Sequence, residues 1–210
     1  MIITKIEKQK NNNKRYSIFI NDEFSFGIDE IDLLYYKLKE NEPLDDEKYN
    51  YILNKLLLKR AKDKALKYLG YKMRSKKQVI NKLKEDEYPE DIIFKVVNIL
   101  EKYNYINDED FAKAYIKDKL NLKGYGIFKI KYDLKMLGID EEIFKYYLYD
   151  TEFINEQEKA KILLMKKLKN KKNIEDVDYK EKQKLYAYLS RRGFSYDSIN
   201  KAIISILEDY

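Results

Sequence analysis

Apolar residues in the first 28 positions fall at strand spacing. Ile2, Ile3 and Ile6 form one short run, Tyr16, Ile18 and Ile20 alternate with Ser17 and Phe19, and Phe24, Phe26 and Ile28 follow. Period-two alternation of this kind marks strands, and polar residues at 10–14 and at Asn21-Asp22 supply the turns between them. The pattern predicts a three-stranded antiparallel meander, too small to be stable alone, which must rest on a helix. From Asp29 onward the spacing becomes helical. Ile31, Leu34, Tyr35 and Leu38 share one predicted helix face, and Pro43 interrupts the chain. Asp45 or Asp46 can cap a further helix carrying Tyr49, Ile52, Leu53, Leu56 and Leu57.

The remainder repeats itself. With Leu83, Leu134 and Leu189 aligned, the residues five positions on are Tyr88, Ile139 and Phe194. Those ten on are Ile93, Phe144 and Ile199, and those fourteen on are Val97, Leu148 and Ile203. Four positions after each leucine stand Glu87, Gly138 and Gly193, where a left-handed residue would stop a helix. Ala61 and Ala112 precede their leucines by 22 residues and Ala160 precedes Leu189 by 29, so the third copy carries an insertion in its Lys-rich stretch. Each copy reads as helix, loop, helix, tight turn, helix. Ser75 with Gln78 has capping-box spacing and Asn107 with Asp110 a weaker form of it, while Asp140 and Ser195 can cap third helices and Pro89 suits a first turn. Tandem units that touch mainly their neighbours form elongated arrays. The expected fold is therefore mainly α: tandem three-helix repeats behind a small N-terminal antiparallel β segment. The units are expected at residues 1–58 (meander plus helices), 59–104, 105–150 and 151–210.

Composition removes most catalytic chemistry. The 210 residues include no histidine, cysteine or tryptophan, so imidazole relays, thiol nucleophiles, disulfides and the usual zinc sites are all excluded. No apolar run is long enough to span a bilayer, and the N-terminus lacks a signal-peptide core; a cytoplasmic, monomeric protein without a membrane role or cofactor is expected. The formal net charge of +6 is unevenly placed: residues 1–58 carry −2, and residues 59–210 carry +8. A polyanion, or a protein that carries one, is the partner this asymmetry suggests.

Candidate contact residues lie in four places. Residues 113–135 hold seven lysines and two acids among aromatics, with Lys117, Lys119, Lys123, Lys129 and Lys131 as contact candidates. Basic residues interleaved with Tyr115, Tyr125, Phe128 and Tyr132 suit a nucleic-acid backbone, although a solvated helix face with inward aromatics explains the pattern as simply. Residues 159–172 hold seven lysines and no acid; Lys166, Lys167 and Lys169 are the candidates, on a segment whose Ala160, Leu163, Leu164 and Leu168 form an apolar stripe. Arg191 and Arg192 lie at a turn between helices, where helix capping competes with partner contact. Arg74, with Lys76 and Lys77, precedes or opens a helix, where the helix dipole gives a cation no advantage. The acidic clusters at 29–32, 45–47, 107–110 and 140–142 could hold Mg²⁺ for a nuclease, but each stands at a predicted helix start, where carboxylates are expected anyway.

Several strings resemble the RecX recombination-regulator family. They are Ala65-Leu66-Lys67-Tyr68-Leu69 with Met73-Arg74-Ser75 and Leu83; Asn107-Asp108-Glu109-Asp110-Phe111-Ala112 with Lys123-Gly124 and Leu134-Lys135-Met136-Leu137-Gly138-Ile139; and Leu189-Ser190-Arg191-Arg192-Gly193-Phe194-Ser195. Thr4-Lys5-Ile6-Glu7, Arg15-Tyr16 and Phe24-Ser25-Phe26-Gly27 are similar to the β segment of some members, so the resemblance spans almost the whole chain. It implies a non-enzymatic protein with three tandem three-helix repeats in a curved body. It also implies that the protein binds the RecA recombinase, especially its filament on single-stranded DNA, and modulates, most often inhibits, ATP hydrolysis and strand exchange. Weak direct DNA binding is a further expectation. An alternative, from the residues alone, is a helix-turn-helix-like protein that binds DNA without RecA; its third helices, such as residues 92–100, are largely apolar, which disfavours base readout.

Overall fold

The computed structural model describes residues 1–10, 12–149, 155–168 and 179–208. Three strands, β1 (Ile3–Lys8), β2 (Arg15–Ile20) and β3 (Glu23–Asp29), pair antiparallel in chain order. Asn21 and Asp22 both adopt positive φ, 49° and 68°, and so form the two-residue turn that matches the twist of a hairpin. Register places Ile18 opposite Phe26 and Ile6 opposite Ile18. Ile3, Ile18, Phe26 and Ile28 are buried.

The helices follow: α1 (Glu30–Tyr35), α2 (Asp46–Tyr51), a π-helical segment (Ile52–Leu57), α3 (Leu58–Tyr71), α4 (Lys76–Glu85) and α5 (Glu90–Lys102). Helical winding is unbroken from α2 through the π segment into α3, across the point where the sequence pattern set the edge of the first copy. The π segment has a reason in the sequence. Ile52 and Leu57 are both buried but five positions apart, and at about 100° per residue an α-helix would turn the second about 140° away from the first. Closing the backbone on i→i+5 returns Leu57 to the buried face, from which Ala61 and Ala65 continue inward.

The expected face is only partly the one that is buried. Leu38 is buried as expected, but Ile31, Leu34 and Tyr35 are exposed, and Leu33 is buried in their place. The helix stops after six residues, and Lys37 takes φ 50° while Leu38 N–H donates to Leu33 O at 3.1 Å. So short a helix has no long apolar face to offer; it is held by the pair of residues that close its last turn.

The same closure ends the middle helix of every copy. The second copy consists of α6 (Asp108–Asn121), α7 (Ile127–Met136) and α8 (Glu141–Tyr149), and the third of α9 (Glu156–Leu168), α10 (Tyr179–Arg191) and α11 (Tyr196–Glu208). Tyr88, Ile139 and Phe194 donate their N–H groups to Leu83, Leu134 and Leu189 at 3.2, 3.0 and 3.2 Å, past Glu87, Gly138 and Gly193 at φ 57°, 83° and 82°. This is the Schellman motif with its apolar contact between the residues five apart, and it accounts for the anchor spacing of the repeat. All six of those side chains are buried, as are Ile93, Phe144 and Ile199 and the three upstream alanines. The capping box of Ser75 and Gln78 is complete, and Ser195 Oγ accepts from Ser198 N–H at 3.1 Å.

The chain divides into two compact units, residues 1–107 and 108–210. In the first, the sheet and the first copy share one core, from Ile3 and Phe26 to Val96 and Ile106. Arg15, 2% exposed, joins them. Its guanidinium donates to Asp29 Oδ1 (2.8 Å), Gly27 O (3.0 Å), Asp86 O (2.8 Å) and Tyr88 Oη (3.3 Å), and stacks on the Tyr88 ring at 4.7 Å. Gly27 N–H donates to Glu87 O at 2.8 Å, and a Cβ at Gly27 would stand 2.8 Å from Asp86 O, so glycine is required for this approach. Glu87, a non-glycine residue in the left-handed region, is held there by Gln9 and Ser17, which both donate to its carboxylate. In the second unit, the second and third copies each have their own core.

Burial pushes the Tyr88 hydroxyl up to about 12, against the lowering effect of Arg15. The folded state thus keeps a proton that the unfolded chain releases near pH 10. Stability that is complete below pH 10 falls as pH rises from about 10 to about 12, by roughly 2–3 kcal/mol in all. Tyr88→Phe should remove that component of alkaline unfolding. Comparing urea midpoints of the two proteins at pH 8 and pH 11 tests it, and an unchanged pH dependence in the variant would refute it.

Candidate polyanion-binding surface

The cationic side chains singled out by the sequence separate into those neutralised within the fold and those that are not. In the first unit, Lys76 pairs with Glu101 at 2.9 Å. Arg74 is half-buried and lies over the Tyr68 ring at 4.1 Å, and Lys77 is exposed on α4.

In the second unit the run at 113–135 is largely neutralised by its own helices. Lys113 pairs with Glu109 at 2.9 Å and Lys129 with Asp133 at 3.4 Å, both one helical turn apart. Lys131 and Lys135 converge on Glu141, which their ammonium groups hold below the usual carboxylate range. Lys119 lies over Tyr115 at 4.8 Å and Tyr125 at 5.6 Å. Tyr115 also donates to Asp133 at 3.1 Å, and burial raises its hydroxyl pKa. Lys117 remains exposed on α6. The aromatics of this run divide as well: Tyr115 and Tyr125 pack on the core of the second copy, whereas Phe128 and Tyr132 are 62% and 63% exposed on α7.

The run at 159–172 begins by facing inward. Lys159 donates to Asn121 Oδ1 at 3.1 Å, its pKa lowered by desolvation, and Lys161 donates to Ser205 Oγ at 2.8 Å. Lys166 and Lys167 are exposed at the end of α9. Lys169 lies outside the described residues.

Two cations without a described acidic partner, Lys167 and Arg192, share one aromatic ring where the third copy docks on the second. The α10–α11 turn presents its carbonyls to the N-terminus of α7: Gly126 N–H donates to Arg192 O at 2.8 Å, and Phe128 N–H to Gly193 O at 3.1 Å. The approach is so close that a Cβ on Gly126 would stand 2.3 Å from Gly193 O, and one on Gly193 2.3 Å from Lys129 N. Glu156, at the start of α9 and buried, closes the joint. It accepts from Ile127 N–H (3.0 Å) with one oxygen, and from Ser198 Oγ–H (2.7 Å) and Ser195 N–H (3.5 Å) with the other. One carboxylate thereby satisfies the helix starts of both α7 and α11.

Above this joint Arg192 Nη1 donates to Lys123 O (2.7 Å) and Gly124 O (3.3 Å), and its guanidinium lies 4.8 Å from the centre of the Tyr188 ring. Lys167 Nζ lies 4.0 Å from the same ring. Among the described residues no carboxylate pairs with Lys123, Lys166, Lys167, Arg191 or Arg192. Arg192 is therefore both a tie between two copies and part of a positive surface; Arg191 beside it is exposed. The sequence contained the Arg192 tie only as the general expectation of a helix-end arginine, and the role of Glu156 was hidden, since one Glu at a helix start looks like any other.

The acidic clusters are engaged as helix starts and ion pairs. Asp45 accepts from Lys48 N–H at 2.7 Å, Asp140 from Glu142 N–H at 3.1 Å, and Asp32 forms a two-bond fork with Arg60 at 2.7 and 2.8 Å. Among the described residues no three acidic side chains converge as a metal site would require.

Comparison with known proteins follows the same layout. Family models match residues 1–45 (regulatory protein RecX N-terminal domain), 61–100 (RecX, first three-helix domain), 107–145 (RecX, second three-helix domain) and 155–203 (RecX, third three-helix domain). A protein of Clostridium botulinum (strain Eklund 17B / Type B) named regulatory protein RecX is 34% identical over 96% of this chain and 94% of its own length. One of the same name from Bacillus subtilis (strain 168) is 34% identical over 97% of this chain and 76% of its own length. Among solved structures, a regulatory protein RecX superposes with a TM-score of 0.60 at 26% identity, covering 100% of this chain and 99% of that one. The RecX of Lactobacillus salivarius gives 0.62 at 30% identity, covering 73% and 98%.

Proposed function

Since the chain belongs to the RecX family of regulatory proteins, we propose that it binds the RecA recombinase, preferentially as the filament on single-stranded DNA, and lowers its ATPase and strand-exchange activity. The near full-length match to proteins named regulatory protein RecX carries this reading. The chemistry of the chain is consistent with it. A protein without histidine or cysteine, whose repeated positions are core positions, acts by where it sits. Three similar helical copies offer several modest contacts to a partner that is itself a repeating polymer, and linked contacts multiply their affinities. Inhibition follows when the seated protein hinders the subunit movement coupled to ATP turnover or the addition of further subunits. It acts in this reading as a cytoplasmic monomer.

The test is steady-state ATP hydrolysis by RecA on single-stranded DNA with the purified protein added. The expected result is a dose-dependent fall complete at micromolar concentration. Unchanged hydrolysis and strand exchange at micromolar excess would overturn the proposal.

A further inference from the structure

The first unit turns an apolar face outward within the most acidic stretch of the chain. We propose that this face, on α1 and the end of α2, docks a basic amphipathic helix of a partner protein.

The face begins with a pattern that the fold does not use. Ile31, Leu34 and Tyr35 stand at the i, i+3, i+4 spacing of a core-facing helix. They are nevertheless 76%, 69% and 77% exposed, and Leu33 and Leu38 carry the packing. Tyr35 meets Tyr36 edge to face with ring centres 5.0 Å apart, and Tyr36 lies 6.0 Å from Tyr51 at the end of α2, itself 51% exposed. This run of rings joins the exposed side chains of the two helices into one surface. Single exposed apolar residues are ordinary, whereas a contiguous patch marks a contact site. Four side chains so exposed leave on the order of 400 Å² in water. That is well below the roughly 800 Å² per partner buried in a stable pair of folded proteins. A second copy of this chain would be held poorly; a single helix laid down on its apolar stripe suits the area.

Charge decides which helix. Residues 21–47 hold ten acids and two lysines, although the whole chain carries +6. Arg15 pairs with Asp29, Arg60 with Asp32 and Lys39 with Glu42. Glu30 accepts from the neutral Tyr16 hydroxyl at 3.2 Å, which leaves its charge in place, and it lies one helical turn before Leu34. Glu47, exposed beside Asp46, lies one turn before Tyr51. Carboxylates thus border the patch on both helices. Lys37, after α1, and Lys55, four positions beyond Tyr51, are the basic residues that follow them, and the acids outnumber them. A polyanion is repelled here, so the face serves a different partner from the lysine-rich helices. Lysines or arginines flanking an apolar stripe would be steered to it. The inference does not rest on RecA, which takes no part in the test.

The probe is a short labelled peptide with leucine at helical i, i+3, i+4, i+7 spacing and lysine elsewhere, titrated with the intact protein and followed by fluorescence anisotropy. Because the chain as a whole is positive, only an acidic face can attract it. The wild type should bind with an affinity that weakens as salt is raised. Ile31→Ser/Leu34→Ser, altered only at exposed positions, should bind roughly tenfold more weakly. Asp46→Asn/Glu47→Gln should weaken binding several-fold and flatten its salt dependence. Far-UV circular dichroism confirms that each variant is folded. The proposal is overturned if the wild type does not bind the peptide, or if a scrambled peptide of the same composition, or one with glutamate for lysine, binds as tightly. It is also overturned if the folded Ile31→Ser/Leu34→Ser variant keeps the wild-type affinity. Sedimentation velocity completes the test: a concentration-dependent dimer abolished by that variant would assign the face to a second copy and overturn the proposal as well.

Discussion

Gly193→Ala should destabilise the second unit by about 3–5 kcal/mol, among the largest effects a single methyl group can produce. Two costs combine. Gly193 sits at φ 82°, where an L side chain is strained by about 1–2 kcal/mol. The new Cβ would also stand 2.3 Å from the backbone nitrogen of Lys129, which cannot rotate away as a side chain can. Relief requires the α10–α11 turn to withdraw from α7, breaking the bonds from Gly126 and Phe128 to the carbonyls of residues 192 and 193. Gly138→Ala is the informative comparison, since Gly138 has the same positive φ, 83°. Urea unfolding followed by hydrogen exchange of peptides from residues 126–136 and 195–206 measures the effect. A destabilisation of Gly193→Ala below about 1.5 kcal/mol would show that the close approach does not constrain the turn.

Glu156→Ala is expected to cost about 2–4 kcal/mol, also in the second unit. The variant strands the Ile127 N–H at the start of α7, where no other side chain is bonded to it, and leaves Ser198 without its acceptor. Leaving a fully buried donor unpaired costs about 1–3 kcal/mol, and these two part-buried donors each fall towards the lower end of that range. Glu156→Gln separates charge from geometry. Its amide oxygen can still accept from Ile127 or from Ser198 but not from both sides with equal strength, so it should recover about half of that stability. Thermal unfolding of the three proteins decides between these outcomes. Equal midpoints for Glu156→Ala and the wild type would show that α7 and α11 are capped by water instead.

Much of the architecture was legible because one local device recurs. Leu83–Tyr88, Leu134–Ile139 and Leu189–Phe194 are five apart because each pair closes a Schellman turn, and repetition made the spacing visible. Leu33 and Leu38 form the same pair around Lys37. There the device occurs outside the repeat, and helical periodicity selected Leu38 correctly but with it Ile31, Leu34 and Tyr35, which are exposed, and missed Leu33. The π segment was illegible for a related reason: Ile52, Leu53, Leu56 and Leu57 satisfy an α-helical reading, and only the burial of Ile52 together with Leu57 shows the wider winding. Charge was the least readable layer. A count of lysines does not register whether an acid from another helix stands beside them, so the lysine-rich run at 113–135 stood as a candidate contact surface on number alone. Glu141 and Asp133 neutralise much of it, whereas Lys167 and Arg192 are drawn together by an aromatic ring that sequence spacing does not reveal.

The sheet and the first helical copy have to be inherited together. Family models place a boundary near residue 45, yet if the strands were grafted onto a foreign bundle the guanidinium of Arg15 would keep only Asp29 and Gly27 and lose its bonds to Asp86 O and Tyr88 Oη. Asp86 and Glu87 would likewise lose the glycine notch that receives them. A chimera that exchanges the β segment between relatives should fold when Arg15, Gly27 and the residues at 86–88 travel as a set, and should fail when they are divided. Recombination among such genes is therefore expected to leave its crossovers after residue 107 more often than between the strands and the first copy.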